Sequence, residues 1–166
     1  MMLFGNKTNS GGHMLVIGFR VSTDSVAYCL LSGSKQKPTL ISSDIIKLPK
    51  GYKRIESLKW LYNEISTICK KCEPALIAIK DTEVMARKGN SYVERLENET
   101  VVILAATTNG VKNFYKKVKA TIAKDLTGKG KAKYLEISLD TSILPDFNKL
   151  SSNEKEAVIV AWSVLK

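Results

Sequence analysis

Three apolar segments of strand length follow one another closely near the start of this chain, and their spacing constrains the fold more than any other feature. The segments are residues 14–21, 25–32 and 39–48, and short polar links join them. Strands joined by such short links pair antiparallel, because a parallel pair needs a crossover of roughly a dozen residues or more. The sequence therefore predicts an antiparallel three-stranded meander.

A helix and a further strand are predicted after the meander. Residues 53–72 carry apolar side chains at spacings of three and four, which gives the helix one apolar face. Pro74 ends this helix, and the apolar run at residues 75–80 has the length of a strand. Because a crossover helix separates this strand from the meander, we expect it to pair parallel with an earlier strand.

A second helix is predicted over residues 92–107. Ser91 is its expected N-cap, and Glu94 stands three residues further on, where it completes a capping box. The β-branched residues at 101–103 also suit a strand, so the pattern leaves both structures open for that part.

The last third of the chain predicts one more strand and two helices. Residues 112–119 suit a strand at an edge of the sheet, and residues 131–139 suit a helix. A final helix is expected over residues 154–165, with Ser152 or Asn153 as its cap. The whole order predicts an α/β fold with a mixed five-stranded sheet flanked by helices.

Length and hydrophobic content predict one globular domain with a tail. The chain has 166 residues, of which 44% are hydrophobic, and this is enough for a sizeable core. The expected domain covers residues 14–166, with residues 1–13 as a flexible N-terminal tail. No apolar run reaches the roughly 20 residues that a membrane span requires, so no membrane partner is expected.

Cys69 and Cys72 form a Cys-x-x-Cys pair inside a predicted helix. No second such pair is present, and the sole histidine, His13, lies in the tail. The pattern therefore favours reduced thiols in a cytoplasmic protein over a zinc or redox site. The sequence also has no Walker-type phosphate loop and no histidine that would serve a Ser-His-Asp or Cys-His nucleophile.

The charge of the chain indicates an acidic partner. Lysine and arginine number 26 against 16 acidic residues, so the net charge is +10, which favours nucleic acid first and an anionic membrane surface second. Residues 112–133 contain Asp125 as their single acid and eight lysines. Such a cluster binds phosphates by releasing counterions. The lysines are Lys112, Lys116, Lys117, Lys119, Lys124, Lys129, Lys131 and Lys133.

Three aromatic residues accompany this lysine cluster. Phe114, Tyr115 and Tyr134 have rings that are able to stack on nucleic-acid bases. Apolar rings also fill protein cores, so we expect at least one of the three to be buried instead.

Four stretches of the sequence carry a family resemblance. They are LVIGFRVSTDSVAYCLL, in which Gly18 and Tyr28 keep their places, the ungapped residues 74–108, the segment KKVKATIAKDLTGKGKAKYLEI, and the closing helix SSNEKEAVIVAWSVLK. Together they resemble the RuvC-like Holliday-junction resolvase family of the ribonuclease H-like superfamily. The resemblance implies the ribonuclease H-like fold over residues 14–166.

Enzymes of this family cleave DNA with two divalent cations about 4 Å apart, held by converging carboxylates. By resemblance, the positions of these carboxylates fall on Arg20, Lys80, Asn153 and Glu156, of which only Glu156 retains a carboxylate. Exchanging two acids for two bases alters the local charge by roughly four units and repels a cation. Arg20 and Lys80 are then expected either to pair with Glu156 or to meet a phosphate directly.

Nearby acids keep a second hypothesis open. Asp24, Glu83 and Glu156 are candidate ligands for Mg²⁺ or Mn²⁺ in a rebuilt site, which makes the chain an active endonuclease with displaced ligands. Asp81 is expected to point away from Lys80, and Glu154 is expected to be solvated or to cap the last helix.

A third hypothesis makes the chain a protein-interaction scaffold. The resemblance implies a homodimer, and residues 101–106 with Trp162 are candidate apolar contacts, although burial within one chain explains both more simply.

The sequence favours a catalytically degenerate RuvC-like domain over these two alternatives. Such a domain binds nucleic acid through a basic surface, with DNA favoured over RNA, and has no assigned catalytic residue, metal ligand or cofactor. The predicted nucleic-acid-binding residues are Arg87, Lys88, Lys117, Lys119, Lys129, Lys131 and Lys133.

Overall fold

The computed structural model describes residues 14–83 and 85–166, so the predicted tail at residues 1–13 lies outside the described residues. Its strands are β1 (Val16–Val21), β2 (Ser25–Gly33), β3 (Pro38–Lys47), β4 (Leu76–Lys80) and β5 (Asn113–Lys117). Its helices are α1 (Arg54–Cys72), α2 (Asn90–Thr108), α3 (Lys119–Thr127), α4 (Tyr134–Ile137) and α5 (Ser152–Trp162), with 3-10 turns at Thr141–Ile143 and Phe147–Lys149. Within these described ranges, no helix is both long enough and apolar enough to cross a membrane.

The five strands form one mixed sheet in the order β3-β2-β1-β4-β5. The pairs β1–β2 and β2–β3 are antiparallel, whereas β1–β4 and β4–β5 are parallel. The predicted fold class is therefore confirmed. Because β1, β4 and β5 run in the same direction, their carboxyl ends meet at one edge of the sheet, and Arg20 and Lys80 both lie there.

Helices cover both faces of the sheet, and the side chains of β1 alternate between the two cores. Ile17 and Phe19 are fully buried in the cluster that includes residues of α1 and α2. Val16 is buried on the opposite face, in the cluster that includes Ile122 of α3 and Val158 of α5. β1 is therefore central to the sheet and contributes to both cores.

Helix α2 extends through the segment that the sequence left ambiguous. Residues 101–103 are helical, and Val102 is fully buried against the sheet, so packing outweighs the β propensity of this segment. The predicted cap is wrong, because α2 begins earlier than expected. Gly89 is the N-cap and provides no side-chain hydrogen bond, while its carbonyl accepts from the amides of Tyr92 and Val93.

The segment after β5 also differs from the prediction. The sequence assigned no element to residues 120–127, whereas α3 spans Lys119–Thr127 and buries Ile122 and Ala123. Gly128 ends α3 in the left-handed conformation, with φ of 75°. The helix predicted over residues 131–139 is reduced to the single turn of α4, none of whose residues is buried. Without a buried face, a longer helix has no packing to stabilise it.

Helix α5 is capped by Ser151 rather than by Ser152 or Asn153. The Ser151 hydroxyl accepts a hydrogen bond from the Glu154 amide at 3.3 Å, and the Glu154 carboxylate accepts from the Ser151 amide at 3.0 Å. This reciprocal pair is a capping box, and it gives Glu154 the capping role that the sequence predicted. The Ser43 hydroxyl also donates to Glu154 at 3.0 Å, which ties the start of α5 to β3.

Strand β1 lies directly against helix α5 because Gly18 has no side chain. A Cβ atom placed on Gly18 would lie 2.1 Å from the Ala157 carbonyl oxygen and 2.8 Å from the Cβ of Ala161. Real Cβ atoms do not approach backbone so closely, so any larger residue at this position forces the helix away from the sheet.

Replacing Gly18 with alanine is therefore expected to lower the free energy of unfolding by about 3 kcal/mol or more. The expected loss is measured as a lower urea midpoint. Gly130→Ala is the matched control, because a Cβ there meets only the Cβ of Lys124 at 3.9 Å. Equal midpoints for the two variants would contradict the close packing of β1 on α5.

Candidate functional site

The carboxylate of Glu156 is the centre of a charged cluster at the carboxyl edge of the sheet. Its position on α5 brings it to Arg20, which lies near the end of β1. Arg20 donates from Nε to Glu156 Oε2 at 2.5 Å, and Lys119 Nζ lies 2.9 Å from Oε1. The side chains of Arg20 and Glu156 are only 20% and 17% exposed. Both oxygens of this half-buried carboxylate are therefore occupied by cations.

Lys80 lies in the same region but has a different partner. It is buried at the end of β4, and its Nζ donates to Glu83 Oε1 at 2.7 Å and to the Asp81 carbonyl. Glu83 Oε1 also accepts from the backbone amide of Lys119 at 3.1 Å. The expected pairing with Glu156 is therefore confirmed for Arg20. It is wrong for Lys80, whose ammonium group pairs instead with Glu83 and the Asp81 carbonyl in the loop after β4.

A second acid–base group extends the cluster toward α2. Glu99 is 1% exposed, and its carboxylate contacts Arg95 Nε at 3.1 Å and Lys116 Nζ at 2.6 Å. Arg95 also donates from Nη2 to the Lys80 carbonyl at 2.8 Å. Sequence reasoning did not select this group. Its one local signal was the spacing of four residues between Arg95 and Glu99, which juxtaposes side chains on a helix.

Hydrogen bonds of the Lys119 backbone amide and the Lys80 backbone carbonyl join these ion pairs into one network across β1, β4, β5 and three helices. It contains five bases and, with Asp81 at 3.5 Å from Lys116, four acids, so its net charge is +1. The members are Arg20, Lys80, Asp81, Glu83, Arg95, Glu99, Lys116, Lys119 and Glu156, and we call this set the ion-pair chain. Most of its positive charge is balanced inside the protein.

The ion pairs also set the protonation of the carboxylates. Burial by itself raises the pKa of Glu156, but the hydrogen bonds and charges of Lys119 and Arg20 outweigh it, so the net pKa lies below its ordinary 4.5. Glu83 behaves in the same way, since burial raises its pKa and the contacts with Lys80 and Lys119 lower it further than that. Both carboxylates are therefore ionised at neutral pH and held by cations.

The residues of this site do not fit the pair of divalent cations that the RuvC-like resemblance implies. Glu156 is the one carboxylate at the four corresponding positions, and its oxygens already contact Arg20 and Lys119. Across residues 14–83 and 85–166, no three histidine, cysteine, aspartate or glutamate side chains converge as metal ligands. A divalent cation needs several such oxygen ligands.

The rebuilt metal site expected from Asp24, Glu83 and Glu156 is not assembled. Glu83 is held by Lys80, and Glu156 is held by Arg20 and Lys119. Asp24 lies in the turn between β1 and β2, where it accepts a hydrogen bond from the Ser25 hydroxyl at 3.1 Å. Asn153, the fourth position implied by the resemblance, lies in the first turn of α5 and has no carboxylate.

Two of the predicted nucleic-acid contacts are engaged inside the protein. Lys117 donates to Asp125 at 2.8 Å and to the Ser163 carbonyl at 3.3 Å, and its side chain is 16% exposed. Lys119 is bound to Glu156. Their assignment as phosphate contacts stays a prediction, because phosphate would have to compete with these partners.

The remaining predicted contacts lie on the surface in two groups. Arg87 and Lys88 are exposed in the loop before α2, where Lys88 Nζ lies 5.6 Å from the centre of the Tyr92 ring. Residues 129–133 follow α3 and present Lys129, Lys131 and Lys133 to solvent. We call residues 129–133 the lysine loop. Lys112 and Lys124 add exposed charge that was counted in the sequence but not selected.

The aromatic residues of the basic segment do not enter the core, so the expectation that one of them is buried is wrong. Phe114 and Tyr115 are 45% and 47% exposed, because they lie on the edge strand β5. Tyr134 is half-buried, and the Nζ atoms of Lys129 and Lys133 lie 4.8 Å and 5.4 Å from its ring centre. The lysine loop is therefore organised around an aromatic side chain.

The apolar residues considered for a homodimer are mostly internal. Trp162 is 2% exposed and donates from Nε1 to the Lys35 carbonyl at 2.8 Å, so it is not available for a partner chain. Within residues 101–106, Val102 is fully buried, whereas Leu104 is 55% exposed. Leu104 is thus the remaining apolar candidate of that segment.

All three cysteines are free thiols, and Cys29 and Cys69 are buried. Burial raises the pKa of Cys69 to about 11 and that of Cys29 to about 12. Cys72 is half-buried, and burial raises its pKa as well. Thiols with such pKa values are uncharged at neutral pH, so they are poor nucleophiles and poor metal ligands.

Comparison with known proteins agrees with this architecture. No protein-family model matches the chain. The crossover junction endodeoxyribonuclease RuvC of Fusobacterium nucleatum is 27% identical over 125 residues. This match covers 75% of the chain and 64% of that protein, which is less than two thirds of its length.

Solved structures give the fold directly. The structure of RuvC from Thermus thermophilus covers 90% of this chain and 92% of its own, with a TM-score of 0.73 and 16% identity. The same protein in complex with a Holliday junction gives 0.69 at 16% identity, covering 91% of this chain and 92% of its own. The yeast mitochondrial Holliday junction resolvase gives 0.60 at 12% identity, covering 90% and 77%. The chain therefore has the RuvC-like resolvase fold, as the sequence predicted.

Glu156→Gln is expected to destabilise the protein by about 1–3 kcal/mol at pH 7, because it leaves Arg20 and Lys119 without their counter-charge. The difference in the free energy of unfolding between the wild type and Glu156→Gln should become smaller as the pH falls below 4.5. A carboxyl whose pKa is lowered by folding stabilises the protein above its unfolded pKa and loses that contribution as it is protonated in the folded state. Urea unfolding across this pH range measures both effects.

Glu136→Gln is the matched control for this measurement. Glu136 is exposed and its carboxylate has no hydrogen-bond or ion-pair partner among the described residues, so losing its charge should change little at any pH. A Glu156→Gln variant as stable as the wild type at pH 7 would show that the cluster does not stabilise the fold.

Proposed function

We propose that this chain is a RuvC-like domain that binds DNA through a basic surface and does not cleave it by two-metal chemistry. The observation that carries the proposal is the state of Glu156. This residue occupies a position that the family resemblance assigns to a metal-binding carboxylate, and both of its oxygens contact protein cations. A carboxylate used in this way stabilises the fold and leaves no free carboxylate at the four positions that the resemblance assigns to metal ligands.

The DNA-binding surface proposed here extends from the ion-pair chain to the lysine loop. Helix α3 begins at Lys119, beside Glu156, and ends at Thr127, and its C-cap Gly128 immediately precedes the lysine loop. Its nine residues span about 13 Å, which matches about four base pairs of B-form DNA. One short duplex segment is therefore long enough to contact both ends of α3.

The chemistry of this surface favours phosphate contacts over base reading. The exposed groups of the lysine loop are ammonium ions on flexible side chains, which attract phosphates without recognising bases. DNA is favoured over RNA as the partner because a structural neighbour at a TM-score of 0.69 is solved with a Holliday junction. The protein is proposed to act in the cytoplasm, where its free thiols stay reduced.

Incubation of the protein with branched, duplex and single-stranded DNA, each with Mg²⁺ or Mn²⁺, is expected to yield no cleavage. The physical reason is that Glu156 is committed to Arg20 and Lys119. Product formation is read on denaturing gels. Metal-dependent cutting that disappears in Glu156→Gln would support the alternative of an active endonuclease and overturn this proposal.

A triple substitution of Lys129, Lys131 and Lys133 by alanine is expected to weaken DNA binding about tenfold or more. If all three lysines contact phosphates, the slope of log K against log salt should fall in magnitude by about 2–3. Fluorescence anisotropy at several salt concentrations measures both quantities.

The matched control removes three exposed lysines, Lys50, Lys59 and Lys70, that lie around helix α1, away from α3. These changes remove the same net charge from a different part of the protein. If both triple variants lose affinity and slope equally, binding depends on net charge alone and the lysine loop is not the contact surface.

A homodimer remains a proposal, with Leu104 on α2 as a candidate contact. Its side chain is more than half exposed, on the helix that also buries Val102, Ala105 and Ala106. Light scattering at two concentrations distinguishes a dimer from a monomeric DNA-binding domain.

A further inference from the structure

A cleft of about 260 Å³ lies next to the ion-pair chain, between the end of β1 and the start of α2. Among the residues that the structure describes, three arginines line it together with hydroxyl side chains, and no acidic residue does so. Its size is below the roughly 300–1,000 Å³ typical of pockets for drug-sized ligands, and it suits a small anionic group. We call it the arginine cleft. Its principal lining residues are Arg20, Thr82, Arg87, Ser91, Tyr92 and Arg95.

The guanidinium groups of this cleft retain unused donors. Arg20 uses Nε and Nη1 for Glu156 and the Val21 carbonyl, while Arg95 uses Nε and Nη2 for Glu99 and the Lys80 carbonyl. Nη2 of Arg20 and Nη1 of Arg95 have no hydrogen-bond partner within residues 14–83 and 85–166. Arg87 is exposed and makes no hydrogen bond or ion pair in that part of the chain.

The positive charges of the cleft are close enough to repel one another. Burial lowers the pKa of Arg95, and the charge of Arg20 lowers it further, while Glu99 acts in the opposite direction. Like charges at close range favour an anion between them, because the anion removes the repulsion and pairs with both groups.

One neutral donor among the residues that line the cleft is also unpartnered. The hydroxyl oxygen of Thr82 is shielded from solvent and has no hydrogen-bond partner in the described part of the chain. Ser91 and Tyr92, in the first turn of α2, line the cleft, and the N-cap Gly89 has no side chain to satisfy that helix end. The first turn of a helix carries free amide groups and a partial positive charge, both of which favour an anion.

We propose that the arginine cleft binds a phosphate group through direct contacts with Arg20, Arg87 and Arg95. Guanidinium forks match the oxygens of phosphate in both charge and geometry. The proposal rests on the proposed DNA-binding function for the source of the phosphate. Two sources share this chemistry: an internal phosphodiester of a DNA strand and a terminal or free phosphate monoester.

The first arm of the test uses inorganic phosphate at constant ionic strength with EDTA present, and follows binding by calorimetry. Wild-type protein should show saturable binding. Arg87→Gln should weaken it about tenfold, because a charged hydrogen-bond partner is lost, and Thr82→Val about threefold. Neither residue gives up a protein hydrogen bond from its altered side chain in the described ranges, so both variants should fold.

The matched control is Lys131→Gln, which removes one exposed charge from the lysine loop. It should leave phosphate binding unchanged and weaken the binding of duplex DNA. The absence of saturable phosphate binding, or an equal effect of Arg87→Gln and Lys131→Gln on it, would overturn the proposed phosphate site.

The second arm distinguishes the two sources with short single strands that differ only at their 5′ end. Tighter binding of the 5′-phosphorylated strand, lost in Arg87→Gln, identifies a terminal monoester as the ligand. Equal binding of the phosphorylated and hydroxyl strands, weakened equally by Arg87→Gln, identifies an internal phosphodiester. Either outcome supports the proposed site, whereas strand binding unaffected by Arg87→Gln contradicts it.

The proposed phosphate site and the proposed DNA-binding function are contradicted by different results. If the protein binds no phosphate in the cleft but still binds DNA through the lysine loop, the proposed site is wrong and the proposed function is supported. Phosphate binding that depends on Arg87, in a protein that binds no DNA, would support the cleft and contradict the proposed function.

Discussion

The ion pairs that Arg20 and Lys119 both make with the carboxylate of Glu156 are the interaction on which our account of this protein depends. Arg20 on β1 and Lys119 on α3 contact its two oxygens, so one side chain of α5 links the central strand to two helices. A half-buried carboxylate with two cationic partners cannot also supply ligands to a divalent metal without breaking those contacts. The same geometry that holds these elements together underlies our proposal that this edge of the sheet binds anions rather than cations.

Much of this structure follows from the sequence, because apolar periodicity and short links specify the strands and their pairing. Arg20 and Glu156 were expected to pair as one of two outcomes, since the family resemblance placed both at the same edge of the sheet. Arg95 and Glu99 were not expected, because their role depends on how α2 lies over the end of β4. Helix α3 was missed because its buried surface is confined to Ile122 and Ala123.

The charge count was correct in sign but overstated the free positive surface. Because side chains alternate between the two faces of β5, Lys116 pairs with Glu99, and the next residue, Lys117, pairs with Asp125 on the opposite face. Neither lysine is visible as an internal ion pair from spacing in the sequence. Of the groups proposed to bind phosphate, the lysine loop and the arginine cleft retain unpaired donors. They differ in chemistry, because the loop has flexible ammonium groups and the cleft has positioned guanidinium groups.

The central claim is that Glu156 is a structural carboxylate and not a metal ligand. Electron paramagnetic resonance of Mn²⁺ titrated into the free protein tests this most directly, because bound Mn²⁺ loses the signal of the hydrated ion. We predict that the signal of free Mn²⁺ is the same with and without stoichiometric protein, for both the wild type and Glu156→Gln. A stoichiometric loss of signal in the wild type that Glu156→Gln restores would contradict the account.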